Sequence, residues 1–222
     1  GEVVSEVARG PDGLLATTTA GQIVIDLSTS PVDTTRTLAR EFAARGVDFI
    51  DAPVARTRAA AEAGTLAVMG GGDASVFETV RPLLATFAND ISLCGPVGCG
   101  QVVKILNNMI LFEIGVAIAE AKAIGTHAGV DPAVLFDTLA KGSGDSFALR
   151  NHGMKAMLPD QFPLRAFSVH YARKDLGYAL RLARDANIDA EGARNVDTWF
   201  AKAIEAGWGE QYWPVISRLI RK

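Results

Sequence analysis

The stretch GPVGCGQVVKILNN, from Gly95 to Asn108, marks the point at which the sequence changes character. Short β-branched runs alternate with helical patterns before it, whereas only helical patterns follow it. Within the stretch, Lys104 and Asn108 stand four residues apart, a spacing that places both side chains on one face of a helix. The sequence therefore predicts a domain boundary here, and a candidate pair of functional side chains where the helical part begins.

The part of the chain upstream of this stretch predicts an α/β domain. GQIVIDLSTSP, from Gly21, indicates a buried strand that ends in a polar turn, TTRTLAREFAARGV a helix, and VDFIDAPV a second strand. A strand, a helix and a strand in succession predict a parallel βαβ unit. GTLAVMGGG, DASVFETVRPLLATFA and DISLCG add a strand, a helix and a last short strand. The first residues, GEVVSEVARGPDGLLATT, predict a helix that leads into a strand.

The downstream part predicts an all-helical domain built on one long helix. This helix runs from about Gln101 to Ala128 and is about 42 Å long at 1.5 Å per residue. It is strongly apolar, but Glu113, Glu120 and Lys122 interrupt it, and a spanning helix needs about 20 mainly apolar residues. We therefore interpret it as the core helix of a soluble protein with no membrane partner.

Composition narrows the class of protein. The 222 residues are 49% hydrophobic, with a formal net charge of −3 and no basic stripe, so we expect a globular protein that does not bind nucleic acid. Cys94 and Cys99 lie outside any metal-binding pattern and no signal peptide is evident, which favours a cytoplasmic location. His127, His152 and His170 lie in separate predicted helices, so no metal site is indicated.

Four blocks of the sequence together resemble the β-hydroxyacid dehydrogenase family (3-hydroxyisobutyrate dehydrogenase-like). The blocks are DLSTSP at Asp26, DAPVARTRAAAEAGTLAVMGGG at Asp51, GPVGCGQVVKILNN at Gly95 and KDLGYAL at Lys174. The resemblance implies an NAD- or NADP-dependent oxidoreductase that interconverts a small 3-hydroxy acid and its semialdehyde by hydride transfer. It also implies that residues 1–96 are the C-terminal part of a Rossmann domain and that residues 97–222 form a helical substrate and dimerisation domain, in a homodimer or homotetramer.

The resemblance further implies roles for individual residues. Lys104 matches the family's catalytic acid/base, and Asn108 the residue that helps to hold the substrate. The chemistry agrees, because hydride addition to an aldehyde leaves an alkoxide that a hydrogen-bonded lysine can protonate. Ser28, Thr29 and Lys174 match positions that contact the cofactor. Alternatively, Lys104 is a lysine at a helix end, Ser28 and Thr29 form a plain Ser/Thr turn, and Lys174 forms a surface salt bridge.

The expected substrate-binding loop departs from the commonest family pattern. That pattern is D-A-P-V-S-G-G, where this sequence has Ala55, Arg56 and Thr57. A guanidinium offers paired donors to an oxyanion, so Arg56 is predicted to bind the acid group of the substrate, a carboxylate or a sulfonate. The Arg-Thr pair is similar to the sulfolactaldehyde reductase branch; alternatively, Arg56 points to solvent or to a neighbouring subunit. Ser146, in GSGDSFALRNH, resembles a residue of a segment beside the family's active site.

Members of the family begin with a G-x-G-x-x-G fingerprint that binds the cofactor pyrophosphate, and this sequence has none. We therefore expect that about half of a Rossmann domain lies outside the sequence, together with the residue that distinguishes NAD from NADP. The alternative is a catalytically inactive, truncated binding or scaffold protein. The presence of Lys104, Asn108 and Lys174 favours the enzyme.

Overall fold

The computed structural model describes residues 1–220 and divides the chain into two compact units, Gly1–Leu106 and a second that begins at Asn107. The sequence-based boundary lies ten residues earlier, at 96–97, in the turn before the long helix α6 (Cys99–His127). The division falls inside α6 because the first turn of this helix is hydrogen-bonded to the first unit through Gln101.

The first unit contains the α/β part. Its strands are β1 (Ile23–Asp26), β2 (Asp48–Asp51), β3 (Val54–Ala55), β4 (Leu66–Gly70) and β5 (Ala88–Leu93), and its helices before α6 are α1 (Glu2–Arg9), α2 (Leu14–Thr17), α3 (Val32–Ala43), α4 (Arg58–Glu62) and α5 (Ala74–Leu84). Strands β1 and β2 pair in parallel, as do β4 and β5, whereas β3 is antiparallel to β4. The predicted parallel βαβ unit is confirmed, with α3 as its crossover helix.

Two apolar clusters hold these elements together. On α3, Leu38 and Phe42 are buried at a four-residue spacing, and the Phe42 ring stacks on Phe49 of β2 with centroids 5.6 Å apart. On the other side of β2, Ile50 belongs to a cluster with Phe77 of α5. Successive residues of β2 thus contribute to different clusters, as expected for a strand covered on both faces.

The strand predicted near the N-terminus is wrong. Leu14–Thr17 forms a single helical turn, and both the backbone N–H and the hydroxyl of Thr18 donate to the Leu14 carbonyl. Local hydrogen bonds of this kind compete with strand pairing. The helix predicted before it is confirmed as α1, and Ala8 of this helix is buried in the cluster of Phe42.

The second unit consists of helices packed around the rest of α6. They are α7 (Pro132–Leu139), a π-helix (Leu149–Met157), α8 (Val169–Asp185), α9 (Glu191–Glu205) and a 3-10 helix (Trp213–Arg218). The Phe112 ring of α6 meets Phe200 and Trp213 edge to face, with each pair of centroids 5.3 Å apart. A Cβ at Gly115 would lie 2.3 Å from the Trp213 ring, so only glycine lets the indole pack this closely on α6.

Helix α6 is long and apolar enough to span a membrane by length and composition alone, and 39% of its most apolar window is buried. Its buried Lys122 donates to the Met157 carbonyl at the end of the π-helix. Ile110 and Ile124 are exposed on the same helix. Self-association through the helical part stays a prediction.

A buried histidine lies in the core of the second unit. The His152 ring is 5% exposed, its Nδ1 is hydrogen-bonded to the Tyr212 hydroxyl, and its centroid lies 5.1 Å from that of Trp213. Burial, reinforced by the nearby Lys155 charge, lowers the pKa of His152 from 6.5 to about 4. The folded protein therefore favours the neutral imidazole.

We predict that acid destabilises the protein partly through His152. Its stabilising effect is complete above pH 6.5, where both states are neutral, and is lost as the pH falls towards 4, because only the unfolded state binds the proton. The shift corresponds to about 3 kcal/mol. Urea unfolding at pH 7 and pH 4.5 should show a smaller loss for His152→Gln than for the parent protein. His170→Gln, at an exposed site, should leave the loss unchanged; equal losses in all three would contradict the prediction.

Candidate active site

A buried carboxylate fixes the start of α6. Asp51, the last residue of β2, is fully buried and accepts hydrogen bonds from the backbone N–H groups of Gly98, at 2.7 Å, and Gln101, at 2.9 Å. The first N–H groups of a helix have no partner within the helix, and a negative charge is favourable there. Burial raises the pKa of the Asp51 carboxyl, and the two backbone hydrogen bonds oppose that rise.

Close packing at Gly100 explains why α6 can begin here. A Cβ at this position would lie 2.3 Å from the carbonyl oxygen of Met69 and 2.8 Å from Asp51 Oδ2. Any other residue would push the helix away from β4 and from its capping carboxylate. The Gly-rich turn, Gly95–Gly100, thus sets the position of the residues that follow it, Lys104 included.

The Ser28–Ser30 loop, at the carboxyl end of β1, is tied to the first turn of α6. The side chain of Gln101 accepts the Ser30 N–H through Oε1 at 3.0 Å and donates from Nε2 to the Ser28 carbonyl at 2.8 Å. The Asp26 carboxylate accepts the Ser28 N–H at 2.9 Å. Within residues 1–220, Thr29 itself has no hydrogen-bond partner. Its donors and acceptors are therefore available at the sheet edge where open α/β folds bind ligands.

Lys104 and Asn108 lie one turn apart on α6, as the sequence predicted. Lys104 is half-buried, and Asn108 is 2% exposed. In the second unit, Asn108 Nδ2 donates to Asp175 Oδ2 at 2.9 Å, and Asp175 is itself 4% exposed. The buried carboxylate thus fixes the orientation of the Asn108 amide.

Lys174 is held by the same carboxylate and by two aromatic rings. Its Nζ lies 3.1 Å from Asp175 Oδ1, an ion-pair distance without hydrogen-bond geometry. The ammonium also lies over the rings of Tyr171 and Tyr178, 5.4 and 5.5 Å from their centroids. Such cation–π contacts help to hold the ammonium in place. The predicted cofactor contact of Lys174 stays a prediction.

Arg56 is bound within the first unit. Its guanidinium donates to the Thr65 carbonyl at 2.6 Å and to Asn89 Oδ1 at 2.7 Å, and it forms an ion pair with Asp90. The side chain is 34% exposed. The backbone of Arg56 is left-handed, with φ at 90°, a conformation in which glycine is favoured. A substrate acid group would have to compete with Asp90, and the acid-binding role of Arg56 stays a prediction.

The remaining predicted substrate residues have local structural contacts. Ala55 is buried in β3, and the Thr57 hydroxyl accepts the Ala60 N–H at 3.4 Å as the cap of α4. The Ser146 hydroxyl accepts the Leu149 N–H at 3.0 Å where the π-helix begins. Their contacts with a substrate also stay predictions.

Sequence reasoning missed two residues that shape this region. Asp51 belonged to a recognised block, but no role was assigned to it, and Gln101 was read only as the start of a helix. A detectable signal was the polar Gln101 inside a helix whose neighbouring positions are apolar or glycine.

We predict that the backbone strain at Arg56 makes glycine a better replacement than alanine. Both changes remove the guanidinium contacts, but only alanine keeps a Cβ at positive φ, so Arg56→Gly should be more stable than Arg56→Ala by about 1 kcal/mol. Urea unfolding measures the difference. At Arg58, an exposed residue of α4, the order should reverse, because alanine favours helix. The same order at both sites would refute the strain.

Comparison with known proteins places these features in a family. The model for the NAD-binding domain of NADP-dependent 3-hydroxyisobutyrate dehydrogenase matches residues 98–215, which is more than half of the chain. The model for the NAD-binding domain of 6-phosphogluconate dehydrogenase matches residues 1–95. The two matches meet at the Gly-rich turn before α6.

Individual relatives agree with these matches. The chain is 34% identical to 2-(hydroxymethyl)glutarate dehydrogenase of Eubacterium barkeri, over 84% of the chain and 62% of that protein. It is 38% identical to 3-hydroxyisobutyrate dehydrogenase of Pseudomonas aeruginosa, over 83% and 63%. The chain thus spans less than two thirds of the length of either relative.

A solved structure has the same fold. The structure of Mycobacterium tuberculosis 3-hydroxyisobutyrate dehydrogenase with L-serine matches all of the chain and 76% of its own length, with a TM-score of 0.87 and 30% identity. The predicted succession of a Rossmann-type parallel sheet and a helical domain is confirmed. Together with the two family models, this match shows that the chain belongs to the β-hydroxyacid dehydrogenase family.

Proposed function

We propose that the intact protein is an NAD- or NADP-dependent dehydrogenase that interconverts a small 3-hydroxy acid and its semialdehyde, with Lys104 as the acid/base. One observation carries the proposal. Lys104 and Asn108 lie on one face of α6; Gln101 ties the start of this helix to the Ser28–Ser30 loop, and Asp51 ties it to the end of β2. A proton donor and a loop with free polar groups are thus held in a fixed relation within the first unit.

The residues at the carboxyl end of β1 fit a nicotinamide cofactor. Thr29 offers an N–H, a carbonyl and a hydroxyl that are not used within residues 1–220, as contacts to a polar ring substituent require. When bound, the nicotinamide supplies or accepts the hydride. We assign Ser28 and Thr29 to this end of the cofactor, and Lys174 to a further contact with it.

The chain's own contribution to the chemistry is proton transfer and orientation. In the reducing direction, the Lys104 ammonium donates a proton to the oxygen of the former carbonyl, so that no free alkoxide accumulates. In the oxidising direction, neutral Lys104 accepts the hydroxyl proton. Asn108 uses one amide N–H for Asp175, and its second N–H is the donor that we assign to the substrate.

The relatives indicate the class of substrate. In 2-(hydroxymethyl)glutarate, in 3-hydroxyisobutyrate and in the L-serine of the solved structure, a hydroxymethyl group is attached to the carbon that bears a carboxylate. We therefore propose a small acid with this arrangement, oxidised at the hydroxymethyl carbon. The loop of Ala55, Arg56 and Thr57, together with Ser146, is the proposed contact for the remainder of the molecule.

We predict that Lys104→Ala in the intact protein lowers the rate of carbonyl reduction by about 10²-fold or more, because a positioned proton donor contributes this much. Cofactor binding, followed by fluorescence titration, should persist. Lys155→Ala, which removes an exposed lysine that contacts Asn151, is the matched control and should keep full activity. A Lys104→Ala variant with more than about a third of the parental turnover would exclude Lys104 from the mechanism.

A second prediction tests how the acid group is bound. If Arg56 binds it, Arg56→Ala should raise KM for acidic aldehydes by about 10- to 150-fold, the value of a charged hydrogen bond, and barely affect uncharged aldehydes. Asp90→Asn removes the competing carboxylate and should leave KM for the acid unchanged or lower it. Similar losses on both kinds of aldehyde in both variants would mean that the Arg56–Asp90 pair only supports the fold. Steady-state kinetics with carboxylate and sulfonate aldehydes would also show which acid is preferred.

The surroundings of the intact protein are part of the proposal. Both cysteines are free thiols, in agreement with a cytoplasmic location. The exposed apolar side chains of α6, among them Ile110 and Ile124, support a homodimer or homotetramer.

A further inference from the structure

We propose that Gln101 is a positioning residue that holds the Ser28–Ser30 loop at a fixed distance from the helix that carries Lys104. The inference rests on the proposed function for its catalytic meaning, because it concerns the relation between the cofactor loop and the proton donor. Its structural part rests only on contacts within the first unit. No role in binding or catalysis follows from the family motif for this glutamine.

The first support is that both polar atoms of a buried side-chain amide have a hydrogen-bond partner. Gln101 is 0% exposed, yet its Oε1, its Nε2 and its backbone N–H each have a partner. Burying an unpaired amide is unfavourable, so this side chain is held in one orientation by the two groups of the loop. Rotation about its last torsion would exchange donor and acceptor and break both contacts.

The second support is the pattern of these contacts. The amide accepts from the Ser30 N–H and donates to the Ser28 carbonyl, as a residue of a neighbouring strand would. The two bonds bracket Thr29 and leave its own polar groups unused within the described chain. Gln101 thus extends the backbone pairing of the sheet beyond the end of β1 and shapes the loop without occupying its ligand-facing groups.

The third support is the anchoring of Gln101 itself. Its backbone N–H donates to Asp51 Oδ2 at 2.9 Å, so the residue is fixed to the end of β2 as well as to the loop after β1. Lys104 follows three residues later, which is about one helical turn and about 4.5 Å along the axis. A displacement of the loop relative to α6 would therefore change the position of Thr29 with respect to the lysine.

The experiment uses the intact protein, four single variants and one double variant, which combines Gln101→Met with Thr29→Ala. Gln101→Met keeps the length of the side chain but removes both loop contacts. Gln101→Glu keeps an acceptor for Ser30 and removes the donor to Ser28. Thr29→Ala removes the hydroxyl assigned to the cofactor. The matched control is Gln22→Met, since the Gln22 amide also binds a backbone N–H, that of Thr19, at the opposite end of β1.

Amide hydrogen exchange tests the structural part. In Gln101→Met the Ser30 amide should exchange at least about 10-fold faster than in the parent, because it loses its acceptor. The Ile25 amide, within β1, should be unaffected. Gln101→Glu should retain the protection of Ser30, and Gln22→Met should leave it unchanged. If Ser30 exchanges equally in Gln101→Met and the parent, the proposal is overturned.

Cofactor titration tests the catalytic part through a double-mutant cycle. We expect Gln101→Met and Thr29→Ala each to weaken binding of NAD or NADP by about 10-fold, and the double variant by less than about 30-fold, because both changes act through Thr29. A merely structural role of Gln101 would give independent losses of about 100-fold in the double variant, which overturns the proposal. If the parent protein binds neither cofactor, the proposed function fails, and the exchange of Ser30 still decides whether Gln101 holds the loop.

Discussion

The Asp51 carboxylate at the start of α6 is the interaction on which the candidate site depends. It accepts hydrogen bonds from two backbone N–H groups that a helix cannot satisfy internally, and it comes from the last residue of β2. Its burial is unfavourable for the charge, which is why its pKa rises, and the helix N-terminus opposes this effect. Because the capping residue Asp51 belongs to β2, this strand sets where α6 begins, and with it the position of Lys104 one turn further on.

Around this cap, short polar side chains replace backbone pairing where the strands end. Asp26 and Gln101 satisfy the Ser28 N–H, the Ser28 carbonyl and the Ser30 N–H, which would otherwise need water or a ligand. In the second unit, Asp175 does the same for the side chains of Asn108 and Lys174. Ser28, Asn108 and Lys174 are thus each oriented by a buried neighbour, and this is the arrangement that precise binding requires.

Arg56 shows how one substitution can change the meaning of a recognised block. In the commonest family pattern a glycine stands here, and the left-handed backbone of Arg56 keeps a conformation suited to glycine. The guanidinium contacts three groups of the first unit, which offset the strain of a β-carbon at positive φ. The sequence indicates a cationic group at this position, but its partner in the folded chain comes from β5, far along the sequence.

The amino-acid sequence by itself determined the fold class, the parallel βαβ unit, the long helix and the position of Lys104 and Asn108 on one face of that helix. These features follow from local periodicity and from spacing within one helix, which a sequence displays directly. Only the tertiary structure decided that Asp51 caps α6, that Gln101 holds the Ser28–Ser30 loop, that Asp90 pairs with Arg56 and that residues 14–17 form a helical turn. The first three join residues 34 to 73 positions apart, and whether a polar side chain finds such a partner depends on the packing of the whole unit.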